Sequence, residues 1–268
     1  MREQSRVAIV TGASRGVGRG VAEALGEIGA TVFLTGRDEA ALAIAARAVS
    51  ELGGRGIPVA CDHRDDAQTE ALFARALAES GGVDVLVNSA WGGYEKMAED
   101  GEFTWPRPFW EQPLWRWDAM FASGVRAAYA CSRLAAPRMI ARGHGLIVNV
   151  SFWAAQKHVG NAAYGVAKAA TDRLTADCAR ELSGRGVAVV SLYPGLVRTE
   201  RVMEAAAFLD LGNSESPRFT GRAVAALARD PDAARHSGRA LVAAQLALDY
   251  GFTDVDGKRP RPLTLADV

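Results

Sequence analysis

Short runs of apolar, largely β-branched residues recur along the chain, separated by longer stretches whose apolar positions fall three and four apart. The short runs are Arg6–Thr11, Thr31–Thr35, Gly56–Ala60, Val83–Asn88, Gly145–Ser151, Val187–Leu192 and Ala240–Ala243. Helical spacing marks Val17–Ile28, Asp38–Leu52, Asp66–Ser80, Trp117–Ala141 and Asn161–Ser183. Strands that are apolar throughout, with no polar alternation, are covered on both faces, as in a parallel sheet between helical layers. Right-handed crossovers then leave a doubly wound, Rossmann-like α/β sheet of about seven strands as the expected fold. No repeat, linker or low-complexity tract interrupts the pattern, so residues 1–268 are expected to form a single domain.

Two segments break the rhythm. Residues 91–117 hold five of the six tryptophans together with Pro106, Pro108 and Pro113. Residues 198–220 follow a Pro194-Gly195 stop and exceed the usual βα loop of about 2–6 residues. Long loops at the carboxyl ends of parallel strands are where this architecture places ligands.

Composition narrows the function. With 49% hydrophobic and 23% charged residues, the chain lies in the ordinary globular range. Lys+Arg 31 balance Asp+Glu 31, which leaves no electrostatic footprint for nucleic acid. No run reaches the roughly 18–20 apolar residues of a membrane span, so no membrane partner is expected. Cys61, Cys131 and Cys178 are odd in number and far apart, which suits reduced thiols. His63, His144, His158 and His236 lack ligand spacing, so no metal is expected and each is assigned to surface or turn. A cytoplasmic enzyme is the starting expectation, since no long apolar region follows Met1.

The first chemical signal is Thr11-Gly12-Ala13-Ser14-Arg15-Gly16-Val17-Gly18, set between the first strand and the first helix. One glycine permits the tight turn, one lets backbone approach a pyrophosphate, and one allows close helix–strand packing. Free N–H groups and the positive end of the helix dipole then hold the phosphates. After the second strand, where an NAD-selective site keeps an acidic residue, this chain has Thr35-Gly36-Arg37. Arg37 and Arg15 suit a ribose 2′-phosphate, which points to NADP(H) over NAD(H). Asp38 competes as a ribose ligand. Asp62, after the third strand, is open to two roles, a hydrogen bond to the adenine amino group or the cap of a short turn.

The second signal is Tyr164-Gly-Val-Ala-Lys168 at the start of a helix, following Ser151. Residues four apart share a helix face, so phenol and ammonium can address one bound molecule. The ammonium is expected to draw the phenol down from its ordinary pKa of about 10, making Tyr164 a usable general acid/base. Lysine occurs only at positions 96, 157, 168 and 258 in this arginine-rich chain, which adds weight to Lys168.

Together these residues resemble the short-chain dehydrogenase/reductase family over essentially the whole chain. The resemblance implies that Gly12, Ser14, Arg15, Gly16, Val17 and Gly18 bind the cofactor. It matches Asn88-Ser89-Ala90 to the family's fourth-strand motif and places Pro194, Gly195, Val197 and Thr199 over the nicotinamide. Tyr164 becomes the acid, Lys168 the ribose-binding lysine, and Ser151 the residue that positions the carbonyl. The stretches Asn88–Tyr94, Phe109–Trp117, Arg173–Arg180 and Tyr250–Gly257 resemble one subgroup, associated with NADPH-dependent reduction of ketones including steroids and xenobiotics.

Two positions depart from that family. Its proton-relay asparagine aligns with Gly124, as the subgroup also has, so a water or another side chain would have to complete the relay. For its catalytic serine, counting back from Tyr164 selects Ser151, whereas aligning Leu146–Val150 selects Phe152. Trp91, Phe152, Trp153 and Met203 are expected to line a substrate pocket, since apolar aromatic walls suit a bulky ketone. Trp110, Trp115 and Trp117 are expected to be structural, and Glu200–Asn213, with Met203, Phe208 and Leu209, to form an amphipathic lid. The expected activity is NADP(H)-dependent interconversion of a carbonyl and a secondary alcohol, in a homodimer or homotetramer. The competing expectation, motivated by Gly124 and Phe152, is a non-catalytic NADP-binding protein.

Overall fold

Val7–Thr11 forms β1, buried along its whole length, and its alternate side chains feed two separate cores. Ala8 and Val10 point into one, Val7 and Ile9 into the other. This is the two-faced burial that an unbroken apolar run requires. The structure is a computed structural model, and it describes residues 6–95, 97–99, 102–204 and 206–268. Lys96 and the ends of the chain before Arg6 lie outside the described residues.

From β1 the chain continues through α1 (Gly16–Glu27), β2 (Thr31–Gly36), α2 (Glu39–Glu51), β3 (Arg55–Ala60), α3 (Asp66–Ser80) and β4 (Val85–Asn88). A short antiparallel hairpin, β5 (Ala98–Glu99) and β6 (Glu102–Phe103), precedes α4 (Leu114–Met120). Helix α5 (Ala127–Arg142) leads to β7 (Gly145–Val150), α6 (Ala162–Glu181) and β8 (Val187–Tyr193). The chain closes with α7 (Glu200–Glu204), α8 (Pro217–Arg229), β9 (Ala240–Val242) and α9 (Ala243–Tyr250). The main sheet has seven strands in the order β3-β2-β1-β4-β7-β8-β9, all parallel. Residues of α1, α2, α8 and α9 cover one face, and residues of α3 and α5 cover the other. The strand order reverses between β1 and β4, which places the ligand crevice outside their carboxyl ends. Among the described residues, no helix is long and apolar enough to cross a membrane.

Three boundaries differ from expectation. The helix expected over Trp117–Ala141 begins earlier, at Leu114, and is π-helical over Phe121–Arg126 before it continues as α5. Such an insertion of one residue per turn is most common beside functional sites. The long loop expected over 198–220 ends at Ser216, because the Ser216 side chain accepts the Phe219 N–H and Pro217 opens α8. Its two ends are tied by a bridge between Val197 and Glu215. Strand β4 starts at Val85, since the carboxylate of Asp84 is held by the Val7 N–H at 2.7 Å and by Arg142 at 3.0 Å.

Candidate active site

The glycines of the β1–α1 turn divide the work as chemistry demands. Gly12 has φ +66°, and a β-carbon there would lie 2.8 Å from Ala90 Cα, so backbone passes against backbone. Gly16 has φ +56°, which side chains rarely adopt. At Gly18 a β-carbon would lie 2.3 Å from the Gly12 carbonyl oxygen, so α1 seats on the turn only with glycine there. Ser14 is half-buried and Arg15 exposed. The Gly16 N–H already takes an oxyanion: Glu200 Oε2, at the start of α7, accepts from it at 3.0 Å. The cradle therefore fits a phosphate group, in both shape and charge.

At the far end of this cradle, Arg37 is exposed and Asp38 is committed to α2, accepting the Ala41 N–H at 3.0 Å. Asp62 is gripped by Arg64, whose Nε lies 2.9 and 3.0 Å from its two oxygens, and it also accepts the Arg64 backbone N–H at 3.0 Å. Those bonds hold the Asp62 carboxyl down at about 2. Of its two expected roles, the turn is the one these bonds display.

Thr11 Oγ1 accepts both the Ser89 and Ala90 N–H groups, at 3.0 and 2.9 Å, and so orders the turn after β4. The Asn88 side chain faces inward, donating to Asn149 at 2.8 Å and to Ser132 at 3.2 Å. On the opposite wall the Gly195 N–H is held by Glu215 at 3.1 Å, next to Pro194, and Val197 is buried. Thr199 stands against the cradle, its Cγ2 3.4 Å from where a Gly16 β-carbon would be.

Helix α6 carries the expected pair, Tyr164 and Lys168. Asn161 caps it, its Oδ1 accepting the Tyr164 N–H at 3.1 Å and its Nδ2 donating to the Trp105 carbonyl at 3.1 Å. One side chain thus starts the helix and ties down the 91–117 segment. Lys168 Nζ donates to the Val150 carbonyl at 3.1 Å and lies 3.8 Å from the centre of the Trp91 ring. It stands 5.7 Å from the centre of the Tyr164 ring. Around Tyr164 are four rings, with centroids 5.9 Å away for Trp91, 6.1 Å for Tyr94, 5.4 Å for Trp105 and 6.4 Å for Phe152.

The short chain dehydrogenase family pattern matches residues 6–209. The chain belongs to the short-chain dehydrogenases. It is accordingly an NAD(P)-dependent oxidoreductase. It is 42% identical over 269 residues to the dehydrogenase/reductase SDR family member 1 of Mus musculus, covering 95% of this chain and 85% of the relative. It is 33% identical to a cis-4-hydroxycyclohexanecarboxylate dehydrogenase of Sinomonas cyclohexanicum, covering 93% and 97% of the two chains. A crystal structure of a short-chain type dehydrogenase/reductase from Mycobacterium marinum superposes with a TM-score of 0.76 at 25% identity, over 88% of this chain and 93% of that one. A 7α-hydroxysteroid dehydrogenase in complex with NADH and 7-oxo glycochenodeoxycholic acid superposes with a TM-score of 0.75 at 26% identity, over 88% and 92%.

Several expected residues of this short-chain dehydrogenase stand elsewhere than the sequence suggested. Ser151 is buried, its hydroxyl donating to the Lys168 carbonyl at 3.4 Å, while Phe152 presents its ring to Tyr164. Trp153 is not among the rings packed on Tyr164; it meets Tyr193 edge-on at 5.1 Å. Met203 is 46% exposed on α7, so it lines no closed wall here. Leu209, also in the expected lid, is exposed, and the side chain of Phe208 lies outside the described residues. Trp110 is 72% exposed and anchors no core. The segment is organised instead by Arg116, fully buried, whose guanidinium reaches Thr104 at 3.1 Å and lies over Trp105 and Trp115. His63 lies in the turn after β3, one of its two expected places, but is buried there, with Nε2 2.6 Å from Thr35 Oγ1, and burial pushes it down to about 4.

The electrostatics of this short-chain dehydrogenase also correct an expectation. The ammonium does not draw the phenol down in this geometry. Burial pushes Tyr164 well up and Lys168 down to about 7, each toward its neutral form. The physical reason is that Lys168 is turned to the Val150 carbonyl and the Trp91 face, with both groups out of water. Tyr94, Trp105 and Asn161 were missed as site residues. Only Asn161 carried a local signal, an N-cap side chain three residues before Tyr164.

Proposed function

We propose that this protein interconverts a carbonyl and a secondary alcohol using NADP(H), on a bulky apolar or aromatic ketone of steroid-like character. The observation that carries this reading is the meeting of Tyr164 and Lys168 with a ring of aromatic side chains, beside the glycine cradle. Gly12, Ser14, Arg15, Gly16, Val17, Gly18, Asn88, Ala90, Pro194, Gly195, Val197 and Thr199 would hold the cofactor. A preference for NADP(H) is supported by exposed Arg37 and Arg15, and by the engagement of Asp38 as a helix cap. A bound nicotinamide supplies hydride chemistry.

The chain's own residues do the rest. Tyr164 carries the proton on its hydroxyl and gives it to the carbonyl oxygen in reduction, or recovers it from the alcohol in oxidation. Lys168 orients the ribose. Trp91, Tyr94, Trp105 and Phe152 exclude water around Tyr164, which strengthens each polar contact made there. Ser151, bonded to Lys168, steadies the frame that presents the pair. A homodimer or homotetramer fits the outer surface where Phe121 and Val125 of the π-helical turn adjoin Tyr129 of α5 and Leu174 of α6.

The test is consumption of NADPH, with NADH in parallel, against aromatic, steroidal and quinone carbonyls, comparing wild type with Tyr164→Phe. Turnover that prefers NADPH and collapses in the variant is the expected result. Turnover that survives Tyr164→Phe overturns the mechanism. Tight NADPH binding without turnover on any carbonyl would favour the non-catalytic reading that Gly124 and Phe152 motivate.

A further inference from the structure

Neither position offered for the family's serine gives the site an uncommitted hydroxyl donor. Ser151 is bonded to the Lys168 carbonyl, and position 152, to which the strand alignment assigns the family's serine, is phenylalanine. A different hydroxyl has taken up a place beside the proton donor. Tyr94, in the segment after β4, packs its ring 6.1 Å from that of Tyr164, and of the four rings around Tyr164 it is the one that carries a hydroxyl. It is fixed there by Trp91 at 6.1 Å and Trp105 at 5.5 Å, while the Glu95 carboxylate takes the Gly93 N–H at 2.6 Å. Trp105 is in turn anchored by Asn161, the residue that caps the helix carrying Tyr164. Asn161 therefore ties Trp105, a neighbour of Tyr94, to the start of the helix that carries Tyr164.

We propose that Tyr94 is a second catalytic phenol, whose hydroxyl hydrogen-bonds the Tyr164 oxygen and carries part of the negative charge left there when the substrate carbonyl takes the Tyr164 proton. The proposal rests on the carbonyl–alcohol reading above. In the reductive direction the carbonyl carbon gains hydride with its electron pair, and the carbonyl oxygen gains the Tyr164 proton. The oxygen left behind on Tyr164 accepts the Tyr94 O–H, and a solvent proton later restores Tyr164. A hydrogen bond to an ionised oxygen is about twice as strong as one between neutral groups, so the contact tightens as charge develops.

Burial pushes both phenols of this pair up, so each is held in its neutral form before the reaction begins. The charged groups around the pair are Lys168 on α6, Arg116 above Trp105 and Glu95 next to Tyr94.

The experiment compares wild type, Tyr94→Phe, Tyr164→Phe and Tyr94→Phe with Phe152→Ser, in two measurements. In steady-state kinetics with NADPH and a reducible ketone, Tyr94→Phe should lower kcat by about 10–100-fold with little change in KM. Its basic pH limb in the oxidative direction should shift, and Phe152→Ser should recover part of the loss by returning a hydroxyl to the site. Unchanged kcat and pH profile in Tyr94→Phe, with Tyr164→Phe dead, would overturn the proposal and leave the reading of Tyr164 intact. In the second measurement, tyrosine Cζ resonances of the cofactor-free protein are titrated by NMR. The wild-type pair should lose its first proton at lower pH than either lone phenol in the single variants. Equal titration of the remaining phenol with and without its neighbour would overturn the pairing, whether or not a ketone substrate is in hand.

Discussion

Trp91 and Gly124 claim the same space: a β-carbon on Gly124 would lie 2.6 Å from Cζ3 and 2.7 Å from Cε3 of the Trp91 indole. Position 124 is where the family's relay asparagine aligns, so the expected gap for a water is filled by an indole. The same ring takes the Lys168 ammonium on its face at 3.8 Å. Trp91 thereby replaces the asparagine in volume, and the π-helical turn over Phe121–Arg126 sits opposite it.

Gly124→Ala should destabilise the protein by about 1–3 kcal/mol, the usual cost of overpacking a closed interior. Combining it with Trp91→Ala should cost clearly less than the sum of the two single changes, because the clash exists only when both groups are present. Urea unfolding of the four proteins measures this, and additive losses would show that the two residues do not share the space.

Glu215 gives the fold a pH dependence of known sign. It is fully buried, accepting Thr220 Oγ1 at 2.6 Å and the Gly195 N–H at 3.1 Å, and burial pushes its carboxyl from 4.5 up to about 7. Between those values the folded protein keeps a proton that the unfolded chain has released. Stability from this group is therefore fully present below about pH 4.5 and is lost as pH rises to about 7. Glu215→Gln should flatten that part of the profile. Denaturant midpoints at pH 5 and pH 7.5 that shift equally in both proteins would contradict this.

Glu200 places a carboxylate on the Gly16 N–H, where the phosphate cradle opens. An anion already at a helix N-terminus competes with an incoming one. Glu200→Gln should tighten NADPH binding by about 2–5-fold, on the scale of such dipole interactions. Fluorescence titration supplies the dissociation constants, and equal or weaker binding by the variant would remove the competition from the account.

Arg37 is the test of cofactor choice. Arg37→Ala should reduce the ratio of NADPH to NADH efficiency by about tenfold or more, the scale of hydrogen bonds to a charged group. The NADH rate should change little. A ratio that stays put would move the selectivity to Arg15 or elsewhere.

Cofactor end and substrate end were unequally legible. The glycine turn, Tyr164 and Lys168 are local in sequence, because a helix dipole, a tight turn and an i,i+4 pair are each set within a few residues. The doubly wound parallel sheet of about seven strands also followed from local pattern, since runs buried on both faces and right-handed crossovers admit few sheets. Ser151 shows the limit. In a strand, one step along the chain flips a side chain to the other face, so counting could not decide between Ser151 and Phe152. Only the packed sheet shows Ser151 turned to the Lys168 carbonyl and Phe152 turned to Tyr164.

The sequence by itself determined the fold class, and it located the glycine turn and the Tyr164–Lys168 pair on their elements. Tertiary structure alone decided that Tyr94 and Trp105 stand beside Tyr164, that Trp91 fills the space over Gly124, and that burial holds Tyr164 up and Lys168 down. The reason is range. Periodicity and capping act over a turn or a strand, whereas the distance between residues 94 and 164 and the water left between them depend on how a long loop packs against a distant helix.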